Sequence, residues 1–251
     1  MSGADQREGQ RKERPDTGPA RRFIRAYNVT DAFLRKKYGI ELHIGFSEAV
    51  RRCAKLSPAV AAVSAKLQDY ARLRNAIVHG GDREEIIAEP HLDVVEDFEH
   101  IAELLQRPPL CMETVAKRPL CLDVGTSLKE AVMKIERTGF SNFPVTEQGK
   151  LVGMIYPKLI VEGLAVALAR GVEAEAFLSR PVEELCRRDM GRSFAVCDTG
   201  TDVTAVLELF ERNKKLLAVV LTRDGKIGQR PEGIVTVADT LEINNMLEAY
   251  L

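Results

Sequence analysis

No apolar run in this chain approaches the ~18 residues needed to cross a bilayer. The first twenty residues, MSGADQREGQRKERPDTGPA, lack an apolar signal core. Neither membrane insertion nor secretion is expected. The chain also lacks paired cysteines. Cys53, Cys111, Cys121, Cys186 and Cys197 are scattered, and none forms a CxxC pair. A zinc site or a disulfide framework is therefore not expected, and a cytoplasmic location fits this usage. An excess of one charge is missing too. The formal net charge is −1, which argues neither for nor against a nucleic-acid partner.

What is present is unevenly distributed. The 251 residues suffice for one large domain or two to three small ones. Residues 1–83 carry 17 Lys/Arg against 9 Asp/Glu, whereas residues 84–105 carry 8 Asp/Glu and no Lys/Arg. Charge matching between neighbouring helices accounts for this pattern, and so does a basic surface for a polyanion. The polar start reads as a disordered tail over 1–21.

Residues 22–107 have helical periodicity. FIRAYNVTDAFLRKKYG places Phe23, Tyr27, Phe33 and Leu34 near helical spacing. FSEAVRRCAKLS is a second helix, with Ser47 as a candidate cap. A third is expected over 58–79, with Pro58 behind Ser57 at its start and Gly80-Gly81 as its stop. A fourth follows over 91–105, and QRPPLCM marks a linker, taken as 108–112.

From 113 the pattern changes to short β-branched runs alternating with helices. PLCLDV, a helix from Ser127, FPVT, LVGMIY and a helix from Pro157 are followed by FAVCD, a helix from Asp202, LLAVVL, EGIVTV and a helix from Ala238. TSLKEAVMKI and TDVTAVLELF start 75 residues apart, which marks an internal repeat. The second copy carries an insertion, IGQRPE. Copies over 113–165 and 188–251 flank a helical linker over 166–187.

This order, with DGK…GIVTVAD, resembles a tandem pair of CBS domains, or Bateman module. The resemblance implies adenine-nucleotide ligands (AMP, ADP or ATP) in clefts between the repeats. It points to Thr236 for phosphate and to Asp239 for the ribose hydroxyls. The chemistry fits, since a hydroxyl at a helix start meets phosphate and an acceptor-only carboxylate takes a diol. As a structural alternative, Asp239 favours the first turn of its helix. Lys214 and Lys215 are further phosphate candidates. At the matching positions the first copy has Tyr156, bulky where a small hydroxyl is needed, and Leu159, which accepts no hydrogen bond. At most one nucleotide per pair is expected.

The stretch RLRNAIVHGG raises a second question. Val60, Val63, Leu67, Tyr70 and Ile77 line one stripe of the third helix, and Arg74 falls within it. A charge on an apolar seam needs a partner or a wet groove. Asn75 and His79, four apart, share another face. Arg74 and His79 are about 140° apart around the axis, so they converge only with help, such as a second copy. RNAIVH is similar to the Rx4H motif of HEPN domains, small four-helix bundles. The fold class expected for the whole chain is therefore α + α/β, an HEPN-like bundle followed by the paired βαββα module.

The HEPN resemblance implies a metal-independent endoribonuclease, toxin-like or RNA-processing, acting as a homodimer on RNA. In that chemistry His79 moves the proton, Arg74 stabilises the phosphorane charge and Asn75 orients. Asp31 is a weaker candidate. The combined expectation is RNA cleavage regulated by nucleotide binding. The alternative is a non-catalytic nucleotide-responsive scaffold, or an RNA- or protein-binding dimer.

Overall fold

The computed structural model describes residues 18–79, 85–186 and 191–249. Contacts divide it into an amino-terminal helical unit ending at Gln106 and a carboxy-terminal α/β unit, with residues 52–62 grouped with the latter. Among the described residues no helix is long and apolar enough to cross a membrane.

The helical unit contains α1 (Pro19–Tyr38), α2 (Phe46–Ala54), α3 (Pro58–Ile77) and α4 (Leu92–Gln106). Proline opens α1 and α3, where no intrahelical N–H partner is needed. Helix α1 starts before residue 22, so Pro19–Arg21 leave the expected tail; the Ala20 N–H donates to Glu89 Oε2 at 2.8 Å. The remainder of that tail, residues 1–17, lies outside the described residues. Ser47 is not a cap, because α2 begins one residue earlier at Phe46. Its carbonyl instead accepts the Gln68 Nε2 donor at 2.8 Å.

Three buried rings tie α1, α3 and α4 together. Tyr70 stacks on Phe98 at 4.4 Å between centroids, and Phe23 meets both. Around them the acids of α4 pair with cations of the other helices. Arg22 bonds Glu99 at 2.5 Å, and Lys66 bonds Asp97 at 2.9 Å. The Tyr70 hydroxyl also donates to Asp97. The charge asymmetry of the sequence is thus used within this unit.

The seam of α3 is buried as its spacing requires, with Val60, Val63, Leu67, Tyr70 and Ile77 all inside. The helix nevertheless ends at Ile77 rather than at His79. Val78–His79 form strand β1, antiparallel to β2 (Glu85–Ile86), and the Ile87 N–H donates to the Ile77 carbonyl at 2.9 Å. β-Branched Ile77 and Val78 suit extended backbone, and the partner strand satisfies groups that another helical turn would have used. The expected Gly80-Gly81 stop lies outside the described residues.

In the α/β unit the first repeat contains β3 (Leu122–Asp123), α5 (Leu128–Thr138), β4 (Phe143–Glu147), β5 (Lys150–Ile155) and α6 (Pro157–Ala169). A short α7 (Ala174–Leu178) follows. The second repeat contains β6 (Phe194–Asp198), α8 (Val203–Arg212), β7 (Ala218–Thr222), β8 (Pro231–Thr236) and α9 (Thr240–Ala249). A 3-10 turn, Val237–Asp239, precedes α9, so the last α-helix starts two residues after the expected Ala238. Each sheet has the same order, a parallel pair followed by an antiparallel hairpin. Part of the 166–187 linker belongs to the first repeat, since α6 extends to Ala169 and Phe177 and Val182 join its core. Residues 188–190, where the second repeat was expected to begin, lie outside the described residues.

The repeats exchange their lead-in segments. The Val203 N–H donates to the Pro109 carbonyl and the Cys111 N–H to the Thr201 carbonyl, both at 3.0 Å. In the mirrored arrangement, Leu128 donates to Arg180 at 2.9 Å and Val182 to Thr126 at 2.8 Å. Residues 108–112 are therefore no free linker, because they hold the start of α8. Further on, Lys117 and Ile234 exchange two backbone hydrogen bonds of 3.0 Å, covering the edge of β8. Gly233 eases this crossing, since a Cβ there would stand 3.3 Å from the Ala116 Cβ and 3.2 Å from Leu221 Cδ1, besides pushing the Met112 side chain aside. Leu151 and Met154 of β5 pack with Phe194, Ala218, Val220 and Ile234 of the second repeat. The IGQRPE insertion adds a tie: Gly228 donates to the Leu151 carbonyl, and Leu151 donates to the Gln229 carbonyl, each at 2.8 Å.

Candidate functional site

At the carboxyl end of β8 the chain turns at Thr236 into the 3-10 turn, and Asp239 closes a capping box. One carboxylate oxygen, Oδ2, accepts both the Thr236 N–H and the Thr236 hydroxyl at 2.7 Å. The other, Oδ1, accepts the Lys117 ammonium. Asp239 is only 3% exposed, and these three donors compensate its burial. Burial pushes its carboxyl up, but the Lys117 and Thr236 donors together outweigh burial and hold it below its ordinary value. The same hydrogen bond raises Lys117.

Thr236 and Asp239 line a cleft of about 230 Å³ together with Lys117, Arg118, Phe140 and Asn142. Phe140 is 48% exposed, a large apolar ring left on the wall. The cleft thus joins an aromatic face, a hydroxyl, a carboxylate and two cations, a set suited to a base, a sugar diol and an anion. Lys117 and Arg118 also wall a larger cavity of about 730 Å³ that includes Arg230 from the insertion.

Lys117, Arg118 and Phe140 escaped the sequence reasoning. Their signal lay in the exchange of lead-ins, which brings the first repeat's lead-in and its α5–β4 loop against β8. The same symmetry corrects Lys214 and Lys215. At the offset that aligns Thr126 with Thr201, these lysines align with Gly139 and Phe140. They are not among the residues lining the cleft of Thr236 and Asp239. Both are exposed, and Lys214 pairs with Glu211 at 2.6 Å. Leu159 is buried in the first repeat's own core, and Tyr156 packs against it.

In the helical unit Arg74 is half-buried, its guanidinium 5.8 Å from the centre of the Tyr27 ring. The ring face is one partner for the cation on the apolar seam. Asn75 beside it is exposed, and His79 stands in β1 opposite Glu85. Because α3 ends before His79, the two residues do not share a helix face. Asp31 accepts Arg35 Nε at 2.8 Å, and Arg35 holds the carbonyls of Glu41 and Ile44. This places Asp31 in the support of the α1–α2 loop.

The CBS domain family model matches residues 112–165 and 182–244. Among solved structures, the chain is similar to the CBS domain pair of protein MJ0100, solved with 5′-methylthioadenosine and S-adenosyl-L-methionine. The identity is 23%, covering 55% of this chain and 97% of that one, with a TM-score of 0.42. Protein MJ1225 from Methanocaldococcus jannaschii shows 19% identity over 68% of this chain and 57% of its own, with a TM-score of 0.46. The CBS-domain protein ATU1752 from Agrobacterium tumefaciens shows 16% identity over 56% and 90%, with a TM-score of 0.40. No curated protein matches the chain. Both matched segments lie beyond Cys111, within the α/β unit, and this part of the chain is a tandem pair of CBS domains.

Proposed function

We propose that the protein is a sensor of an adenine-containing ligand, AMP, ADP or ATP, bound at the second-repeat cleft. The observation that carries this reading is the convergence of Thr236, Asp239 and an exposed Phe140 on one cleft beside two cations. The ring stacks the base, Asp239 takes the ribose hydroxyls, and Thr236 with the turn N–H groups meets phosphate. The test is equilibrium binding of the three nucleotides to wild type and Asp239→Ala. Loss of affinity in the variant is expected, and unchanged affinity would place the ligand elsewhere.

The second reading concerns the output. In it the helical unit is an HEPN-like domain that cleaves RNA without a metal, as a homodimer, under control of the sensor. Its support is the half-buried Arg74 on an otherwise buried seam, with exposed Asn75 next to it. Arg74 would stabilise the phosphorane and His79 would move the proton. Since one helix does not align these residues, the reading needs a second copy to complete the groove. Purified wild type and His79→Ala incubated with mixed RNA in EDTA separate this from a non-catalytic scaffold. Cleavage by wild type alone is expected, and equal degradation by both removes the nuclease.

A further inference from the structure

We infer that Lys117 is the specificity residue of the second-repeat cleft, admitting ligands that carry an anion and disfavouring neutral or cationic ones. The inference rests on the proposed adenine-ligand reading and extends it to the charge of the ligand.

Three donors already occupy the Asp239 carboxylate, which leaves one acceptor position of about four, on Oδ1. Oδ2 holds the two Thr236 donors at 2.7 Å, and Lys117 takes Oδ1. One hydroxyl of a sugar diol can use that position, but for both hydroxyls to bond the carboxylate the ammonium must give way. A neutral ligand exchanges a charge-assisted hydrogen bond to a buried carboxylate for a neutral one, a net loss. A phosphate-bearing ligand offers the released ammonium a new anion, and the exchange is balanced. A cationic ligand leaves Lys117 facing a second positive charge.

The local structure allows the exchange. The Lys117 backbone is held by its two hydrogen bonds with Ile234, while its side chain is 55% exposed. The ammonium can swing without moving the lead-in strand. Arg118 lines the same cleft and makes no hydrogen bond or ion pair among the described residues. Its planar fork is a second partner for phosphate. Lys117 is thus an internal occupant of the sugar's carboxylate in the empty cleft and an anion partner in the filled one.

The experiment is calorimetric titration of the full chain with adenosine and with AMP. Wild type, Lys117→Met, Lys117→Arg and Asp239→Asn are compared. Wild type is expected to bind AMP at least about tenfold more tightly than adenosine, equivalent to about 1.4 kcal/mol. Lys117→Met closes most of that gap from both sides, weakening AMP and strengthening adenosine. Lys117→Arg keeps the gap, and matched thermal melts show that the variants are folded. Equal affinity of wild type for the two ligands, with Asp239→Asn weakening both, overturns the inference and leaves the adenine-ligand reading standing. A gap that persists in Lys117→Met also overturns it. Binding of neither ligand to wild type or Lys117→Met overturns both.

Discussion

The two CBS repeats run the same strand–helix–hairpin–helix course, yet they end their last strands differently. In the second, Thr236 and Asp239 build a capping box whose carboxylate also takes Lys117 from the crossing lead-in. In the first, Tyr156 begins α6 with no side-chain cap, and Leu159 turns into the core beside Phe143 and Val145. One position has become a buried acceptor held by three donors, and its counterpart has become packing. A shared fold therefore fixes where a cleft lies, while the residue three places past the strand decides whether it has chemistry.

Leu159→Asp breaks the comparison most severely. It does not create a second site, because the carboxylate would be buried among apolar side chains without the donors that Asp239 has. A loss of about 3–5 kcal/mol is expected from an uncompensated buried charge, read as a fall in the urea midpoint of the full chain. Asp239→Ala should weaken nucleotide binding by about a hundredfold, near 2.7 kcal/mol, by calorimetry. Leu159→Ala should leave that affinity unchanged.

Gly233→Val tests the crossing rather than the cleft. The new side chain meets Met112 Sδ and the Ala116 Cβ, 2.7 and 3.3 Å from a Cβ at this position. The expected cost is about 1–3 kcal/mol of overpacking, seen in the same denaturation curve. Smaller still are the caps that open the matching helices. Ser127 accepts the Glu130 N–H at 3.2 Å, whereas Asp202 accepts the Ala205 N–H at 2.8 Å and the Thr204 hydroxyl at 2.6 Å. Alanine at either should cost about 1 kcal/mol, with Asp202 the larger.

The smallest effect is that of pH on the Lys117–Asp239 pair. Asp239 is lowered from 3.8, so its contribution is present above that value and is lost as pH falls through the lower folded value. Lys117 is raised from 10.5, so its contribution is present below that value and is lost as pH rises through the higher one. In wild type neither group titrates across about pH 5 to 9. In Lys117→Met the Asp239 carboxyl keeps its burial and loses the ammonium, so it is raised relative to wild type. The stability difference between the two proteins, read from melting curves, should shrink as pH falls and the unpaired carboxylate takes up a proton. A difference that stayed constant as pH fell would contradict the pairing.

Much of the fold was legible because side-chain patterns report burial. The α3 seam was readable from its spacing, and the run LLAVVL marked the buried strand that spans Ala218–Thr222. The resemblance to CBS domains pointed to Thr236 and Asp239, and the repeat pointed to Tyr156 and Leu159 at the matching positions. The crossing lead-ins were not legible, since the Leu110–Asp202 and Lys117–Ile234 pairings are backbone contacts between distant segments. That gap hid Lys117 and Phe140, while Lys214 and Lys215, the cations singled out in the sequence, are not among the residues lining the cleft. The end of α3 was missed for a related reason. Helical periodicity carries through Ile77, and the strand Val78–His79 is specified by its pairing with Glu85–Ile86 rather than by its own pattern.

The most direct measurement of the central claim is the number of adenine nucleotides bound per chain, by calorimetric titration of the 251-residue chain to saturation. The expected result is one, at the cleft of Thr236 and Asp239, weakened about a hundredfold in Asp239→Ala. Two equivalent sites per chain, or one whose affinity is unchanged in Asp239→Ala, would contradict the division of labour between the repeats.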